Sequence, residues 1–381
     1  MSGAGRGRPT VALVGVHGYG RLHLERLLAR QHRGEIDLVA VADPVPADAA
    51  LEGARQFPAL DDLLAVHGPE VVVVSTPLHT HADLAGQALR AGAHVLVEKP
   101  ATADLPSFEE LLALSERTSR WCQVGFQSLG SAAVEHVRER VAGGRIGTVT
   151  GYSAVGCWVR TRAYYDRAPW AGRRRLQGRV VADGVLTNPL AHAVATVLAV
   201  AGARRLQDVV EVETDLFHVN DIEADDTSTA RIVLGDGLDV LVAVTLAAAE
   251  QGEPFVTVTG TAGSIRLFYT LDTVVEETPG RPPRVTRHER VDLFDDLLDA
   301  VRTGARPRSA LREAGGFARV QDAVVNSPAP RAVPAEFLRR HDLPGGDVRW
   351  ELPGIEEAVQ RAVTRRRTFS ELDLDWARAA R

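Results

Sequence analysis

The sequence feature that most constrains the fold is a series of short apolar runs in the first third of the chain, separated by helical patterns. The runs cover residues 10–16, 37–43, 70–77 and 94–98 and are rich in valine, alanine and leucine. Continuous apolar runs of this length are typical of strands that are buried on both faces of a parallel sheet. A helical pattern follows the first run, and another covers residues 81–91. Strands and helices that alternate in this way predict a doubly wound parallel sheet of the α/β class.

The first apolar run leads directly into a glycine-rich segment, which predicts a turn that binds phosphate groups. Gly15, Gly18 and Gly20 are interleaved with His17 and Tyr19. Glycines let the chain turn tightly and let a pyrophosphate approach the backbone at the start of a helix. His17 stands where the dinucleotide-binding fingerprint would have a further glycine, so this motif alone is a weak signal.

The second apolar run ends in an acidic residue, Asp43, which strengthens the prediction of a dinucleotide site. A carboxylate at this point can accept hydrogen bonds from both ribose hydroxyls of NAD, and it would repel the 2′-phosphate of NADP. The alternative interpretation of Asp43 is a turn-forming residue before Pro44. The sequence therefore predicts NAD as the cofactor, in preference to NADP.

The chain has 44 lysine and arginine residues, of which Lys99 is the only lysine. Arginine stays protonated at any accessible pH, whereas the pKa of a lysine shifts readily when it is buried. The surviving lysine is therefore predicted to take part in chemistry, and the alternative is a chance remnant of a coding bias towards arginine. Ligands of parallel sheets bind beyond the carboxyl ends of the strands. The residues expected at those ends are Ser75, Thr76, Pro77, His79, His81, Glu98 and Lys99.

Composition limits the class of protein. The chain has 381 residues, 45% of them hydrophobic and 25% charged, which is the balance of a globular protein with room for two domains. The net charge of −6 argues against a surface that coats nucleic acid. No apolar run reaches the ~18 residues of a membrane span, and the Gly/Arg-rich start lacks the apolar core of a signal peptide. Two cysteines fit no metal spacing and suggest a reducing compartment, so we expect a cytoplasmic protein without a bound metal.

The pattern changes near Phe126, which predicts a second domain. Residues 209–219, 227–234, 238–248 and 255–268 are predicted as strands of a large, mainly antiparallel sheet, with helices near 131–141, 291–303 and 310–325. The predicted organisation is a disordered lead-in at 1–9, a dinucleotide-binding domain at 10–126, an α+β substrate domain at 127–328, and a linker with a C-terminal extension at 329–381.

Several of these segments together resemble the Gfo/Idh/MocA oxidoreductases, a family that includes inositol and glucose–fructose dehydrogenases. The matching segments are residues 15–20, 42–44, 75–81, 98–100 and 124–127. The resemblance implies a Rossmann domain that binds NAD, with Gln127 also at the cofactor. It further implies a second domain with an open sheet, one face of which lines the substrate cleft while the other often forms a subunit interface. A homodimer or homotetramer paired through this sheet is therefore expected.

The same resemblance assigns the proton-handling residues. Residues 182–192 match the family's glycine-rich entry to a helix, and His192 matches its catalytic histidine. Asn188 lies four positions earlier, on the same face of the turn, where polyol dehydrogenases of the family usually carry aspartate. An asparagine can orient a substrate or a histidine but cannot relay a proton, which leaves Lys99 and His192 as the proton-handling pair. Asp183 replaces a residue that is often glycine, and both a capping role and a second carboxylate near the cleft are open.

Aromatic and basic residues precede this segment and are candidates for binding the substrate. Trp158, Arg160, Tyr164 and Trp170 belong to a stretch that borders the substrate in the family. Aromatic faces suit the C–H surfaces of sugars, and arginines suit carboxylate or phosphate groups. The alternative is a partly buried loop in which these side chains simply pack.

The expected function is therefore hydride transfer between NAD and a secondary alcohol or ketone of a sugar, cyclitol or sugar derivative. One alternative is a glycosidase or lyase that oxidises its sugar transiently and recycles the cofactor. Another is a regulator on the same fold that senses NAD or a sugar without catalysis.

Overall fold

A computed structural model of the chain describes residues 7–380, which form two compact units. The first unit ends at Phe126 and also includes Asp292–Leu311, and the second comprises Gln127–Val291 and the residues from Arg312 onward. Residues 1–6 of the expected disordered lead-in lie outside the described residues.

The strands and helices have the following bounds in chain order. The strands are β1 (Thr10–Val14), β2 (Asp37–Ala42), β3 (Arg55–Phe57), β4 (Val71–Val74), β5 (His94–Val97), β6 (Cys122–Val124), β7 (Val149–Cys157), β8 (Arg175–Leu176), β9 (Arg179–Val180), β10 (Val209–His218), β11 (Thr227–Leu234), β12 (Asp239–Thr245), β13 (Phe255–Gly260), β14 (Gly263–Phe268), β15 (Thr273–Glu277), β16 (Arg284–Arg287), β17 (Arg331–Ala332), β18 (Arg339–Asp342) and β19 (Val348–Glu351). The helices are α1 (Tyr19–His32), α2 (Leu60–Val66), α3 (His81–Arg90), α4 (Leu105–Thr118), α5 (Ala132–Ala142), α6 (Arg162–Asp166), α7 (Ala191–Ala201), α8 (Leu293–Thr303), α9 (Gly315–Asn326), α10 (Ile355–Arg365) and α11 (Asp375–Ala379).

The first unit is built on a parallel sheet with the strand order β3-β2-β1-β4-β5-β6. The four residues of β4 are valines with at most 1% exposure, as expected for a strand covered on both faces. The strand order reverses between β1 and β4, which is the point where such sheets bind ligands. The predicted doubly wound parallel sheet is confirmed.

The helix α8 returns from late in the chain to complete the core of the first unit. Leu293, Phe294 and Leu297 are buried in the same apolar cluster as Leu24 of α1 and Val71 of β4. The predicted span of the substrate domain, 127–328, differs from this arrangement, because α8 buries its apolar face in the first unit.

The second unit contains a nine-stranded sheet with the order β16-β15-β14-β13-β7-β12-β11-β10-β17. Its pairs are antiparallel except β7 with β12 and β10 with β17, so the prediction of a large, mainly antiparallel sheet is confirmed. The predicted strand at 255–268 is in fact a hairpin, β13 and β14, joined by a turn after Gly260. The helix α7 packs on the central strands of this sheet, with α5 on β14 and β15 and α9 on β10.

The C-terminal segment, residues 335–380, covers the other face of the sheet. The sequence analysis described this segment only as an extension and gave it no place in the fold. Leu241 and Ala243 of β12 share an apolar cluster with Ile355 and Val359 of α10. The alternate residue Val242 is also fully buried, so β12 is covered on both faces.

An aromatic cluster closes the contact between this C-terminal segment and the sheet. The ring of Trp376 meets Phe217 of β10 edge-on at 5.0 Å between centroids and Phe369 at 5.3 Å. Asp215 of β10 accepts hydrogen bonds from the backbone N–H and the hydroxyl of Ser370 at 2.8 and 2.9 Å. Residues 335–380 are therefore an integral layer of the second unit, and pairing of subunits through the open sheet stays a prediction.

Within residues 7–380, no helix combines the length and the apolar character that a bilayer crossing requires.

Candidate functional site

The glycine loop of the first unit leaves open space beside the start of α1. Gly15 follows β1, and Gly20 lies in the first turn of α1. Gly18, the residue before the helix, has a φ of 56°, and a Cβ at this position would have no neighbour within 4 Å. As a glycine, this residue adds no side chain to the turn, while the N–H groups of Gly20 and Arg21 donate to the carbonyls of His17 and Gly18 at 2.9 and 3.3 Å.

Asp43 lies directly beside this loop, at the end of β2. Its Oδ2 accepts a hydrogen bond from the backbone N–H of Val16 at 2.9 Å, and its Oδ1 accepts one from Val45 at 2.9 Å. Each carboxylate oxygen has a second lone pair that can accept another hydrogen bond. The half-buried carboxylate is thus fixed beside the glycine loop by two backbone N–H groups.

The two intervening residues of the loop are the half-buried His17 and the exposed Tyr19. The Nδ1 atom of His17 is 3.6 Å from the carboxylate of Asp48. The ring of Tyr19 is 48% exposed and meets His23 edge-on at 5.3 Å.

The segment after β4 contains the next set of predicted cofactor residues, Ser75, Thr76, Pro77, His79 and His81. The hydroxyls of Thr76 and Thr80 are 2.7 Å apart, and the side chain of His79 is half-buried in a 3₁₀ turn. The ring of His81 is buried, with Nε2 2.7 Å from the carbonyl of Thr76 and Nδ1 2.7 Å from that of Pro100. Burial lowers the pKa of His81. This histidine therefore links the ends of β4 and β5, and its expected contact with the cofactor stays a prediction.

The end of β5 carries a buried acid–histidine pair beside Lys99. The Oε1 atom of Glu98 is 2.9 Å from Nε2 of His23, and its Oε2 accepts a hydrogen bond from the backbone N–H of Lys99 at 3.2 Å. Burial by itself would raise the pKa of Glu98, but the hydrogen bond to His23 and the charge of Lys99 outweigh it, so the pKa is lowered. The carboxylate thus ties the backbone of Lys99 to the helix α1.

His23 was missed by the sequence analysis. The available signal was its place one turn after Tyr19, on the face of α1 that is buried together with Leu24 and Leu27. A polar residue on a buried helix face requires a partner, and here the partner is Glu98.

The second unit contains the segment 182–192, where exposure singles out two predicted catalytic residues. From Val181 to Val200, the residues that remain partly exposed are Asn188, Pro189 and His192. Asn188 lies in the turn before α7, and His192 is the second residue of that helix. Both side chains therefore occupy the accessible side of an otherwise buried segment, as their four-residue spacing predicts.

The buried residue Asp225 packs against this turn and holds its backbone. Asp225 accepts a hydrogen bond from the hydroxyl of Ser228 at 2.8 Å, and its backbone carbonyl accepts one from the N–H of Val185 at 2.8 Å. A Cβ on Gly184 would lie 1.8 Å from Oδ1 of Asp225, so only glycine fits at this point. Burial raises the pKa of Asp225 to about 6.

The raised pKa of Asp225 predicts a specific pH dependence of stability. Between the ordinary pKa of 3.8 and the native value of about 6, the native state binds more protons than the unfolded state. The free energy of unfolding should therefore fall as the pH rises from about 4 to about 6, by on the order of 3 kcal/mol from this group. Asp225→Asn should lack this contribution, so thermal unfolding of wild type and variant should diverge with pH. Parallel curves would contradict the prediction, and the exposed Asp221→Asn is the control.

The predicted substrate-binding residues form a stack in which aromatic rings and guanidinium groups alternate. The guanidinium of Arg160 lies 4.9 Å from the ring centroids of both Trp158 and Tyr164. That of Arg167 lies 3.6 Å from Tyr164 and 4.6 Å from Trp170. Cation–π contacts of this kind hold rings and charges in fixed places. The loop that the sequence predicted as a substrate border is thus an ordered, partly exposed surface of rings and cations.

The predicted site residues divide between the units. Lys99 and the residues of the glycine loop belong to the first unit, while Asn188, His192 and the aromatic stack belong to the second. Gln127 is the first residue of the second unit, and its carbonyl accepts a hydrogen bond from Arg290 at 3.2 Å. Among residues 7–380, no group of three or more His, Cys, Asp or Glu side chains is placed to hold a metal ion.

Two family models match the chain. The model described as an oxidoreductase family with an NAD-binding Rossmann fold matches residues 10–126, and that of the GFO/IDH/MocA C-terminal domain matches residues 134–266. The chain is similar to inositol 2-dehydrogenase of Corynebacterium glutamicum (strain R), with 27% identity over 180 residues, or 46% of this chain and 50% of the relative. It is also similar to UDP-N-acetylglucosamine 3-dehydrogenase of Acidithiobacillus ferrooxidans, with 32% identity over 33% of this chain and 40% of the relative.

The fold has solved counterparts. The WlbA dehydrogenase of Bordetella pertussis, solved in complex with NADH and UDP-GlcNAcA, matches with a TM-score of 0.68 and 23% identity over 83% of this chain and 95% of that chain. At this level of identity the likeness concerns the fold. The aligned part of the chain spans half or less of the length of the curated relatives named above.

Proposed function

The chain belongs to the Gfo/Idh/MocA family of oxidoreductases, and on this premise we propose that it is an NAD-dependent dehydrogenase of sugars, cyclitols or sugar derivatives. The reaction is hydride transfer between nicotinamide and a secondary alcohol or ketone. The observation that carries the proposal is the pair of half-buried polar side chains, Asn188 and His192, on an otherwise buried segment. The first unit supports it with a glycine loop and a fixed carboxylate that suit a dinucleotide.

The proposed cofactor residues follow from the first unit. The open space at Gly18, directly before α1, suits the pyrophosphate. Asp43, held by the N–H groups of Val16 and Val45, would accept hydrogen bonds from the adenosine ribose. When bound, NAD supplies an acceptor for the hydride of the substrate's carbinol carbon.

The proton-handling roles are assigned to His192 and Lys99. His192 would take the proton of the substrate hydroxyl as a general base. Lys99 would donate a hydrogen bond to the same oxygen and stabilise its developing negative charge. An ordinary lysine pKa is about 10.4, so a donor role suits Lys99 better than a base role.

The substrate class follows from the second unit and from the relatives. The stack of Trp158, Arg160, Tyr164 and Trp170 offers ring faces for sugar C–H groups and cations for an acidic or phosphorylated substituent. The relatives are named for inositol and for UDP-N-acetylglucosamine, and one structural counterpart was solved with UDP-GlcNAcA. We propose that this chain acts on a substrate of the same polyhydroxylated kind.

The experiment that tests the function is NAD reduction, followed by absorbance, across inositols, glucosides, amino sugars and nucleotide sugars. Turnover on one class, lost in His192→Ala, is the expected result. Silence across the panel with NAD still bound would contradict the dehydrogenase proposal, and cleavage of chromogenic glycosides without net reduction would point to the recycled-cofactor reaction.

The choice between NAD and NADP gives a separate prediction. We expect Asp43→Ala to weaken NAD binding about 10-fold, since a hydrogen bond to a charged group is lost. The same change should strengthen NADP binding, because the 2′-phosphate no longer meets a carboxylate. The dissociation constants of both dinucleotides measure the effect, with Asp37→Ala at the opposite end of β2 as the matched control. An unchanged ratio of the two constants would show that Asp43 does not face the ribose.

A further inference from the structure

The carboxylate of Asp183 lies in contact with the predicted catalytic turn. Its side chain is 1% exposed. The Nδ2 group of Asn188 donates a hydrogen bond to its Oδ1, and the backbone N–H of Gly172 donates one to its Oδ2 at 2.7 Å. The buried Asp183 therefore contacts the inner side of the partly exposed Asn188.

The same carboxylate fixes the aromatic stack. Arg167 donates a hydrogen bond from Nη2 to Oδ2 of Asp183 at 3.2 Å, and its guanidinium lies between the rings of Tyr164 and Trp170. The charge of Arg167 compensates the buried negative charge, which would otherwise be costly. One side chain thus connects the loop that bears the stack to the turn that bears Asn188.

The contact also sets which end of the Asn188 amide faces outward. A carboxylate only accepts hydrogen bonds, so the NH₂ end of the amide must face Asp183. The carbonyl oxygen Oδ1 is then directed to the other side of the amide, where it can accept a hydrogen bond from a hydroxyl or an N–H group.

The contact between the side chains of residues 183 and 188 accommodates one negative charge. An aspartate at position 188 would place two carboxylates in direct contact, and their repulsion would raise the pKa of one of them. With Asp183 below, an amide at position 188 avoids this repulsion.

We propose that Asp183 is a positioning residue that acts through Asn188: it holds the amide so that its oxygen accepts a hydrogen bond from the substrate, and it keeps position 188 neutral. This inference rests on the proposed function, because the reaction defines what Asn188 must position.

The test is a double-mutant cycle of Asp183→Asn, Asn188→Asp and the swapped double variant. In Asp183→Asn the amide of Asn188 is free to rotate by 180°, which exchanges its oxygen and nitrogen. We therefore expect kcat/KM to fall about 10- to 100-fold, with NAD affinity unchanged. Asn188→Asp should lose about 100-fold at neutral pH and show a new rise in kcat/KM towards acidic pH, as one carboxyl of the pair is protonated. The swapped variant restores a carboxylate–amide contact. Its kcat/KM relative to wild type should therefore be at least 10-fold higher than the product of the relative values of the two single variants, and it should lack the new pH dependence.

A merely structural role would lower stability in Asp183→Asn and leave the pH profile of Asn188→Asp like that of wild type. A wild-type pH profile in Asn188→Asp would overturn the proposal. So would a double variant whose loss of kcat/KM is simply the product of the two single losses. Thermal unfolding of the same four proteins gives a second cycle that needs no substrate, and zero coupling there would overturn the contact itself. Failure of the proposed function is a different result, in which wild type turns over no substrate of the panel while the unfolding cycle still shows coupling.

Discussion

Replacement of Lys99 by methionine should lower NAD-dependent turnover by about 100- to 1,000-fold, the usual loss when a donor to a developing oxyanion is removed. Lys99→Arg should lower turnover to a similar extent, because a guanidinium is larger than an ammonium and presents its donors in a rigid planar fork. The backbone of Lys99 is held by Glu98, which is itself bound to His23, so neither change should disturb the end of β5. Initial rates of NAD reduction at saturating NAD measure the effect.

The controls for Lys99 separate chemistry from folding and binding. Both variants should keep the wild-type melting temperature and bind NAD with an affinity close to that of wild type. Arg117→Met removes a cation from the exposed last turn of α4 in the same unit and should keep full turnover. Normal turnover in Lys99→Arg would show that any cation suffices, and the role of a compact donor would be withdrawn.

The fold of the first unit could be predicted because its strands carry a local signal. A strand such as β4, which consists only of valine, can bury the side chains of both its faces only between two layers of helices. The sequence pattern and the observed burial therefore agree. The membership of α8 could not be predicted in this way. Its apolar face shows that it packs, but the choice of the first unit depends on partners such as Leu24 and Val71, which lie more than two hundred residues earlier.

The candidate site shows the same division between local and distant information. The four-residue spacing of Asn188 and His192 is local, and both are among the three partly exposed positions of their segment. The partners that hold the site are distant in sequence or buried: Glu98 is held by His23, and the turn at Gly184 by Asp225. A single sequence does not reveal such pairs, because each member alone is an ordinary polar residue.

The C-terminal layer, which the sequence left without an assigned place, gives the second large effect. We expect Trp376→Ala to destabilise the second unit by about 3–5 kcal/mol, the usual cost of deleting a large buried aromatic side chain. Trp376 is 7% exposed and meets both Phe217 and Phe369, so its loss leaves a cavity between the sheet and the C-terminal segment. Differential scanning calorimetry should show the transition of the second unit lowered by about 10 °C.

The matched control is Val210→Ala on the same strand as Phe217, since Val210 is 68% exposed and should change the melting temperature little. The first unit does not contain Trp376, so NAD affinity at low temperature should be unchanged in both variants. A wild-type melting temperature in Trp376→Ala would mean that residues 335–380 are only loosely attached in solution. The face of β7, β10 and β12 would then be available for pairing between subunits, whereas the expected loss of stability means that the chain covers this face itself.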